Sequence, residues 1–247
     1  MAEAAGSVVF AIFPLVTQLD FTGPYQVLAR LPGYRVILAS LEGGPIKSGE
    51  GLLFGETVPI STIKACDILC VPGGPGTDAV MEDAAYLTEI KRLAATATWI
   101  TSVCTGSLIL GAAGLLKDKH AACHWASRDL LTAFGAIPDA SRVVQDGNIV
   151  TGGGVTAGID FALTLAAEIA GEEIAQAIQL GIEYAPAPPF ASGRVELAPS
   201  SVRTLVNQAG AKMMQDRKEA VARAAARLNA PSEPAKVEII KSWKALG

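Results

Sequence analysis

The chain has 247 residues, half of them hydrophobic and only 18% charged, enough apolar material for one large α/β domain or two small ones. Its formal charge of −4, with no stripe of Lys and Arg, argues against nucleic acid as the main partner. The mean hydropathy is +0.36, yet no run reaches the ~18 consecutive apolar residues of a membrane-spanning helix.

The first apolar run, Ser7–Ile12, is short and lacks a basic segment ahead of it, so it reads as a strand buried on both faces rather than a signal peptide. A helix is expected over Gly23–Leu31 and a second strand over Tyr34–Ser40. The Gly- and Pro-rich segment Leu41–Ile60 suits a hairpin. Asp67–Val71 reads as a strand closed by Pro72-Gly73-Gly74-Pro75-Gly76, Asp83–Ala95 as a helix, Thr98–Val103 as a strand and Thr105–Leu116 as a helix. His120–His124 (strand), Ser127–Phe134 (helix) and two short strands around Asp146-Gly147-Asn148 follow. Helices over Val155–Ala170 and Glu172–Tyr184 complete the compact part.

Aromatics are scarce at 6%, so Ala, Val, Ile and Leu must fill the core, as between a parallel sheet and its helices. The alternation predicts an α/β fold, a doubly wound, mostly parallel sheet with helices on both faces and ligands at the carboxyl ends of the strands. Residues 1–198 are expected to form this domain. Residues 199–229 would be a C-terminal helical arm, with its helix from about Ser200 to Leu228, and residues 230–247 a tail.

The segment with the most chemistry is Trp99-Ile100-Thr101-Ser102-Val103-Cys104-Thr105-Gly106-Ser107, a strand entering a helix with a cysteine at the junction. A thiol there lies near unpaired N–H groups and the positive end of a helix, which favour the thiolate. Such a turn also exposes a nucleophile to backbone donors, as in serine hydrolases, although Ser102 stands where their pattern has Gly. A buried structural cysteine is the competing reading. Cys66, Cys70 and Cys123 lie in or beside strands and read as structural; no Cys-x-x-Cys spacing occurs, and a reducing compartment, the cytoplasm, is expected. Of the two histidines, His124 is better placed than His120 to line a site.

Asp20, in Gln18-Leu19-Asp20-Phe21-Thr22-Gly23-Pro24, is an acid among apolar neighbours where a helix begins. It suits an N-cap, and it equally suits a carboxyl held near Cys104 across adjacent strand ends. Two glycine loops formally fit Gly-x-Gly-x-x-Ala, at Gly74–Ala79 and Gly152–Ala157. Neither sits at the first strand-to-helix turn, where a dinucleotide site belongs, and close backbone approach at a site rim explains both better.

Asp20-Phe21-Thr22-Gly23-Pro24, Val71-Pro72-Gly73-Gly74-Pro75-Gly76, Val103-Cys104-Thr105-Gly106 and Thr151-Gly152-Gly153-Gly154 together resemble the ThiJ/PfpI superfamily, in its order. Within it the likeness is strongest to the bacterial isocyanide hydratases, which add water to an isocyanide to give an N-substituted formamide. The resemblance implies a flavodoxin-like sandwich, a homodimer, a small-molecule isocyanide substrate, and no metal or organic cofactor. It also implies roles: Cys104 as nucleophile attacking the isocyanide carbon to form a thioimidate, Asp20 as general acid, and Thr105 as the hydroxyl beside them. Gly73 and Gly74, with the Thr105 N–H, would steady developing charge.

Other branches of the superfamily fit less well. The protease-like branch has His after the nucleophile where this chain has Thr105, and the deglycase and glyoxalase branch has Glu where it has Asp20. Regulators sharing these motifs add a helix-turn-helix domain, for which the residues after Pro199 supply one long helix and a tail. A glyoxalase or deglycase, and a non-enzymatic redox sensor or chaperone acting through Cys104, stand as the alternatives.

Overall fold

A computed structural model describes residues 6–230. The first half of the chain forms β1 (Gly6–Ala11), α1 (Gln18–Leu28), β2 (Tyr34–Ser40), β3 (Ile46–Lys47), β4 (Leu53–Phe54) and β5 (Val58–Pro59). Next come β6 (Ile68–Val71), α2 (Thr77–Val80), α3 (Ala84–Ala94), β7 (Trp99–Val103) and α4 (Gly106–Ala112). The remainder forms β8 (His120–Ala121), β9 (Ile137–Pro138), β10 (Val143–Asp146), β11 (Ile149–Gly152), α5 (Ala157–Ala170), α6 (Glu172–Gly181) and α7 (Ser200–Leu228). Residues 231–247, which hold nearly all of the expected tail, lie outside the described residues.

The main sheet has the order β10-β11-β7-β6-β1-β2-β5, parallel throughout except for the β10–β11 hairpin at one edge. This is the expected doubly wound α/β sheet. From β1 the chain builds outwards through β2, then returns to lay β6 on the other side of β1. That reversal opens a crevice at the carboxyl ends of β1 and β6. The loops leaving β6, β7 and β11 carry Gly73-Gly74, Cys104 and Gly153, and α1, which follows β1, carries Asp20 in its first turn, so the topology brings four distant segments together.

β1 and β6 are buried along their whole length, which explains their continuous apolar sequences. Helix α5 packs with α1 and α6, and α4 packs with α2, α3 and α7. Between β2 and β5 the chain makes the short hairpin of β3 and β4, as Leu41–Ile60 suggests. Asp83 caps α3, its Oδ1 accepting from the N–H groups of Ala85 and Tyr86.

Several boundaries differ from the sequence expectation. Helix α1 starts at Gln18 rather than Gly23 and carries Pro24 inside it. Tertiary packing overrides the proline signal: a Cβ at Gly158 of α5 would lie 2.8 Å from Pro24 Cδ, so the two helices meet at these small and rigid residues. Helix α4 stops at Ala112, and Gly114 follows with φ of +75°. The strand expected over 120–124 shrinks to His120–Ala121, because Ala122 donates its N–H to the Thr151 hydroxyl instead of a neighbouring strand. Arg128–Phe134 is a 3₁₀ helix.

The long α7 is divided in its environment. Residues 200–216 lie mostly in solvent, whereas Arg217, Ala220, Val221 and Ala224 are buried against the body, near α2, α4 and the 3₁₀ helix. The second half of this helix therefore belongs to the core rather than to a free arm.

Candidate active site

Cys104 sits between β7 and α4 with φ of +58°, a left-handed conformation that costs a non-glycine residue energy. The surrounding backbone over-determines it. Its N–H donates to the carbonyl of Gly153 at 2.8 Å and more weakly to that of Gly152 at 3.1 Å. Gly153 in turn donates its own N–H to the Arg142 carbonyl. The second glycine loop is thus the acceptor that holds the elbow, which accounts for its composition without a nucleotide. Ser102 hydrogen-bonds Ser107 at 2.8 Å, and Ser107 donates to the Ala122 carbonyl, so the residue that replaces glycine in this pattern ties strand to helix.

The elbow also requires close backbone approach. A Cβ on Gly106 would lie 2.1 Å from the Val71 carbonyl oxygen, and one on Gly73 would lie 2.5 Å from the N of Thr105. Either substitution must push main chain against main chain.

Asp20 is not the cap of α1. Thr17 occupies that position, and Asp20 lies in the first turn, fully buried. Its Oδ2 accepts the Gly73 N–H at 2.9 Å. Its Oδ1 is buried without a hydrogen-bond partner, and the Cys104 thiol is a neighbour of the carboxyl. Burial pushes this carboxyl up to about 7, against the Gly73 N–H and the Cys104 thiol, which favour the charged form; Glu50 pushes in the same direction as burial.

Cys104 is 5% exposed. Burial, and then the negative charges of Asp20 and Cys123, raise it well above the ordinary thiol range, and the Thr105 N–H only partly opposes them. The sequence expectation of a resting thiolate at the helix start is therefore corrected: desolvation outweighs the N–H donor of a short helix. Cys104 and Asp20 form a buried pair in which the carboxyl ionises first.

Thr105 is buried beside them. Its Oγ1 accepts the Gly74 N–H at 3.0 Å and lies 2.8 Å from the Thr77 hydroxyl. The N–H groups of Gly73 and Gly74 thus hold the side chains of Asp20 and Thr105; they are not vacant donors awaiting a substrate anion. The Thr105 N–H is the backbone donor that acts on the sulfur among the described residues.

His124 is half-buried, and a Cβ on Gly154 would lie 3.5 Å from its Cδ2. Burial, with the Arg217 charge, lowers its basicity. His120 is exposed, 3.9 Å from Asp139. Among the described hydrogen bonds neither histidine engages Cys104 or Asp20, so the arrangement is a carboxyl–thiol pair and not a Cys–His dyad. Burial holds Cys66 up at about 11, and Cys70 and Cys123 at about 12. An open cleft of about 460 Å³ is lined by Leu41, Glu42, Ser61, Ala84, Ala85, Thr88 and Glu89, none of which belongs to the site above.

Arg217 escaped the sequence reading. It is one of several cations on a Lys- and Arg-rich helix, and no local signal marks it as buried. Its Nε donates to Asp78 Oδ1 at 2.7 Å, and a terminal nitrogen donates to the Gly74 carbonyl at 3.2 Å.

Comparison with known proteins places this geometry in context. The DJ-1/PfpI family profile matches residues 6–168. The chain is 52% identical over 220 residues to a protein of Pseudomonas putida named isonitrile hydratase, covering 89% of this chain and 96% of the relative. A crystal structure of a ThiJ/PfpI family protein from Pseudomonas syringae superposes with a TM-score of 0.85 at 39% identity, covering 90% of this chain and 91% of the other. The chain is also 31% identical over 172 residues to the transcriptional regulator GlxA of Rhizobium meliloti, but spans only 53% of it.

Proposed function

The chain belongs to the DJ-1/PfpI family, and we propose that within it this protein hydrates isocyanides to N-substituted formamides at Cys104. The extent of identity with the Pseudomonas putida isonitrile hydratase carries this reading. The buried Asp20–Cys104 pair supplies the chemistry it requires.

An isocyanide carbon must gain a bond to a nucleophile and a proton. A pair that holds a single proton serves both needs. The sulfur of Cys104 bonds to the terminal carbon of R–NC while the thiol proton passes to the Asp20 carboxylate. That proton then moves to the same carbon, giving the thioimidate R–N=CH–S–Cys104. Water adds to the carbon. One water proton goes to nitrogen, and the other returns through Asp20 to sulfur as the C–S bond breaks, releasing R–NH–CHO. The Thr105 N–H stabilises negative charge on the sulfur during attack. Gly73 and Gly74 position Asp20 and Thr105 through the hydrogen bonds described above.

A homodimer and a cytoplasmic location complete the proposal. The solvent-facing half of α7 presents Val202, Leu205, Val206 and Met213 as exposed apolar side chains, which support a helix-mediated contact between two copies. Four unpaired cysteines suit a reducing compartment. Among the described residues no helix is long and apolar enough to cross a membrane.

The test is an assay of purified protein with an alkyl or aryl isocyanide, following the formamide. Formamide production at catalytic rates is expected; aldehyde consumption without formamide would place the protein with the glyoxalases instead.

A further inference from the structure

We propose that Arg217 of α7 is a positioning residue for this site, setting the proton affinity of Asp20 through the Gly73-Gly74 loop. The inference rests on the hydratase reading for its catalytic meaning, but its structural part does not.

Arg217 is 3% exposed and lies 143 residues from Gly74 in sequence. Burying a guanidinium is costly unless it is paired and hydrogen-bonded. Docking of α7 does not explain that burial. Ala220, Val221 and Ala224 supply apolar contact, and Arg223 and Arg227 clamp Glu82 at the surface. Arg217 instead spans three segments. It donates to Asp78 Oδ1 at 2.7 Å, to the Gly74 carbonyl at 3.2 Å and, at the long limit of 3.4 Å, to the Ser127 hydroxyl.

The Gly74 contact is the informative one. Gly74 has φ of +146°, a conformation that L side chains rarely adopt, and a Cβ there would lie 2.4 Å from the N of Thr17. On the other side of this residue its N–H reaches Thr105, while the preceding residue is held at both ends: Thr17 donates to the Gly73 carbonyl at 2.9 Å, and the Gly73 N–H donates to Asp20. Arg217 thus fixes the outer end of a loop whose inner end fixes the carboxyl. With the guanidinium removed, the loop relaxes and the Gly73 N–H bond to the carboxylate weakens. Asp20 then holds its proton to higher pH.

The charged neighbours are accounted for. Arg217 faces Asp78, which Asp216 and Glu82 also influence, and its charge reaches Cys123 and His124 beside Arg128. Asp20 faces Cys104 and Glu50, and its charge reaches Cys123.

The experiment measures alkylation of Cys104 by iodoacetamide against pH, read by mass spectrometry of the peptide carrying it, alongside kcat/KM for an isocyanide against pH. In Arg217→Met the acidic limb of both profiles is expected to move to higher pH by about half a unit or more. Arg217→Lys retains a charge for Asp78 but lacks the second nitrogen for Gly74, and should move the limb in the same direction by less. A merely structural role would lower the melting temperature and leave the limb in place. Wild-type limbs in a folded Arg217→Met protein overturn the proposal; if that variant does not fold, wild-type limbs in Arg217→Lys do. Alkylation requires no isocyanide, so a protein without hydratase activity would sink the functional reading while this test still gave its answer.

Discussion

The main-chain N–H of Gly73 donates to Oδ2 of Asp20 at 2.9 Å, across 53 residues of sequence, and among the described residues it is the one hydrogen bond that the buried carboxyl accepts. This bond ties the loop after β6 to the first turn of α1. The Cys104 thiol is the other neighbour of this carboxyl, and the pH dependence of the site follows from that pairing.

Below about 7 both members of the pair are protonated, and no base remains to take the thiol proton. Above it Asp20 is ionised and the pair holds one proton, the form that the proposed mechanism requires. The rate therefore rises with pH through about 7 and falls again only when Cys104 loses its proton at much higher pH. A profile of kcat/KM against pH measures this limb. A flat profile from well below to well above 7 would remove Asp20 from the proton path.

Replacing Asp20 by Asn separates catalysis from stability. The isosteric change removes the carboxylate that takes and relays the thiol proton and should slow turnover by roughly 10²-fold or more. Its effect on stability has the opposite sign. Because the folded protein raises the carboxyl from 3.8 to about 7, the native state binds this proton more tightly than the unfolded chain does. Stability from that group is fully present below 3.8 and is lost as pH rises through about 7. Asp20→Asn should thus melt higher than wild type at pH 8, by an amount corresponding to at most ~4 kcal/mol, and the gap should shrink towards pH 4. Thermal melts at the two pH values check it; an equal gap at both contradicts the assignment.

Thr105 carries a hydrogen-bonding load that its methyl-bearing isostere does not. Thr105→Val leaves the Gly74 N–H and the Thr77 hydroxyl buried without their partner, at a cost of ~1–3 kcal/mol for such groups. Thr105→Ser keeps the oxygen and should stay close to wild type in stability and rate. Chemical denaturation and steady-state kinetics distinguish the two. Equal behaviour of Val and Ser would mean that the Thr105 oxygen does not organise the loop.

Much of this site is legible in sequence because it depends on local pattern. Trp99–Val103 running into small residues marks the elbow at Cys104, and the glycines at 73, 74 and 106 mark close main-chain approach. Asp20 was visible as a candidate, but its setting was not: Pro24 argues for a later helix start, and only packing against Gly158 shows why the proline is tolerated inside α1. The raised proton affinity of Cys104 reverses a local argument, because burial is a property of the whole fold and outweighs one N–H donor. Arg217 had no signal at all. Its partners Gly74 and Asp78 lie well over a hundred residues away, and an Arg among other cations on an α-helix reads as solvated surface.

The two halves of α7 should respond differently to change. Leu205→Glu with Val206→Glu alters exposed positions only, and should convert the proposed homodimer to a monomer with the fold retained. Truncation before Ser200 also removes Ala220, Val221 and Ala224 from the core and should destabilise the body itself. Light scattering at micromolar concentration, paired with a thermal melt, reads both effects. A monomeric wild-type protein would refute the dimer.

The most direct test compares wild type with Cys104→Ala in the conversion of an isocyanide to its formamide. Burial of this position favours a small apolar replacement, so the variant should fold, as circular dichroism can verify. Loss of catalysed formamide production in the folded variant, with Cys66→Ala and Cys70→Ala retaining most of theirs, is the expected result. A folded Cys104→Ala protein that turns over isocyanide at near wild-type rates would contradict it.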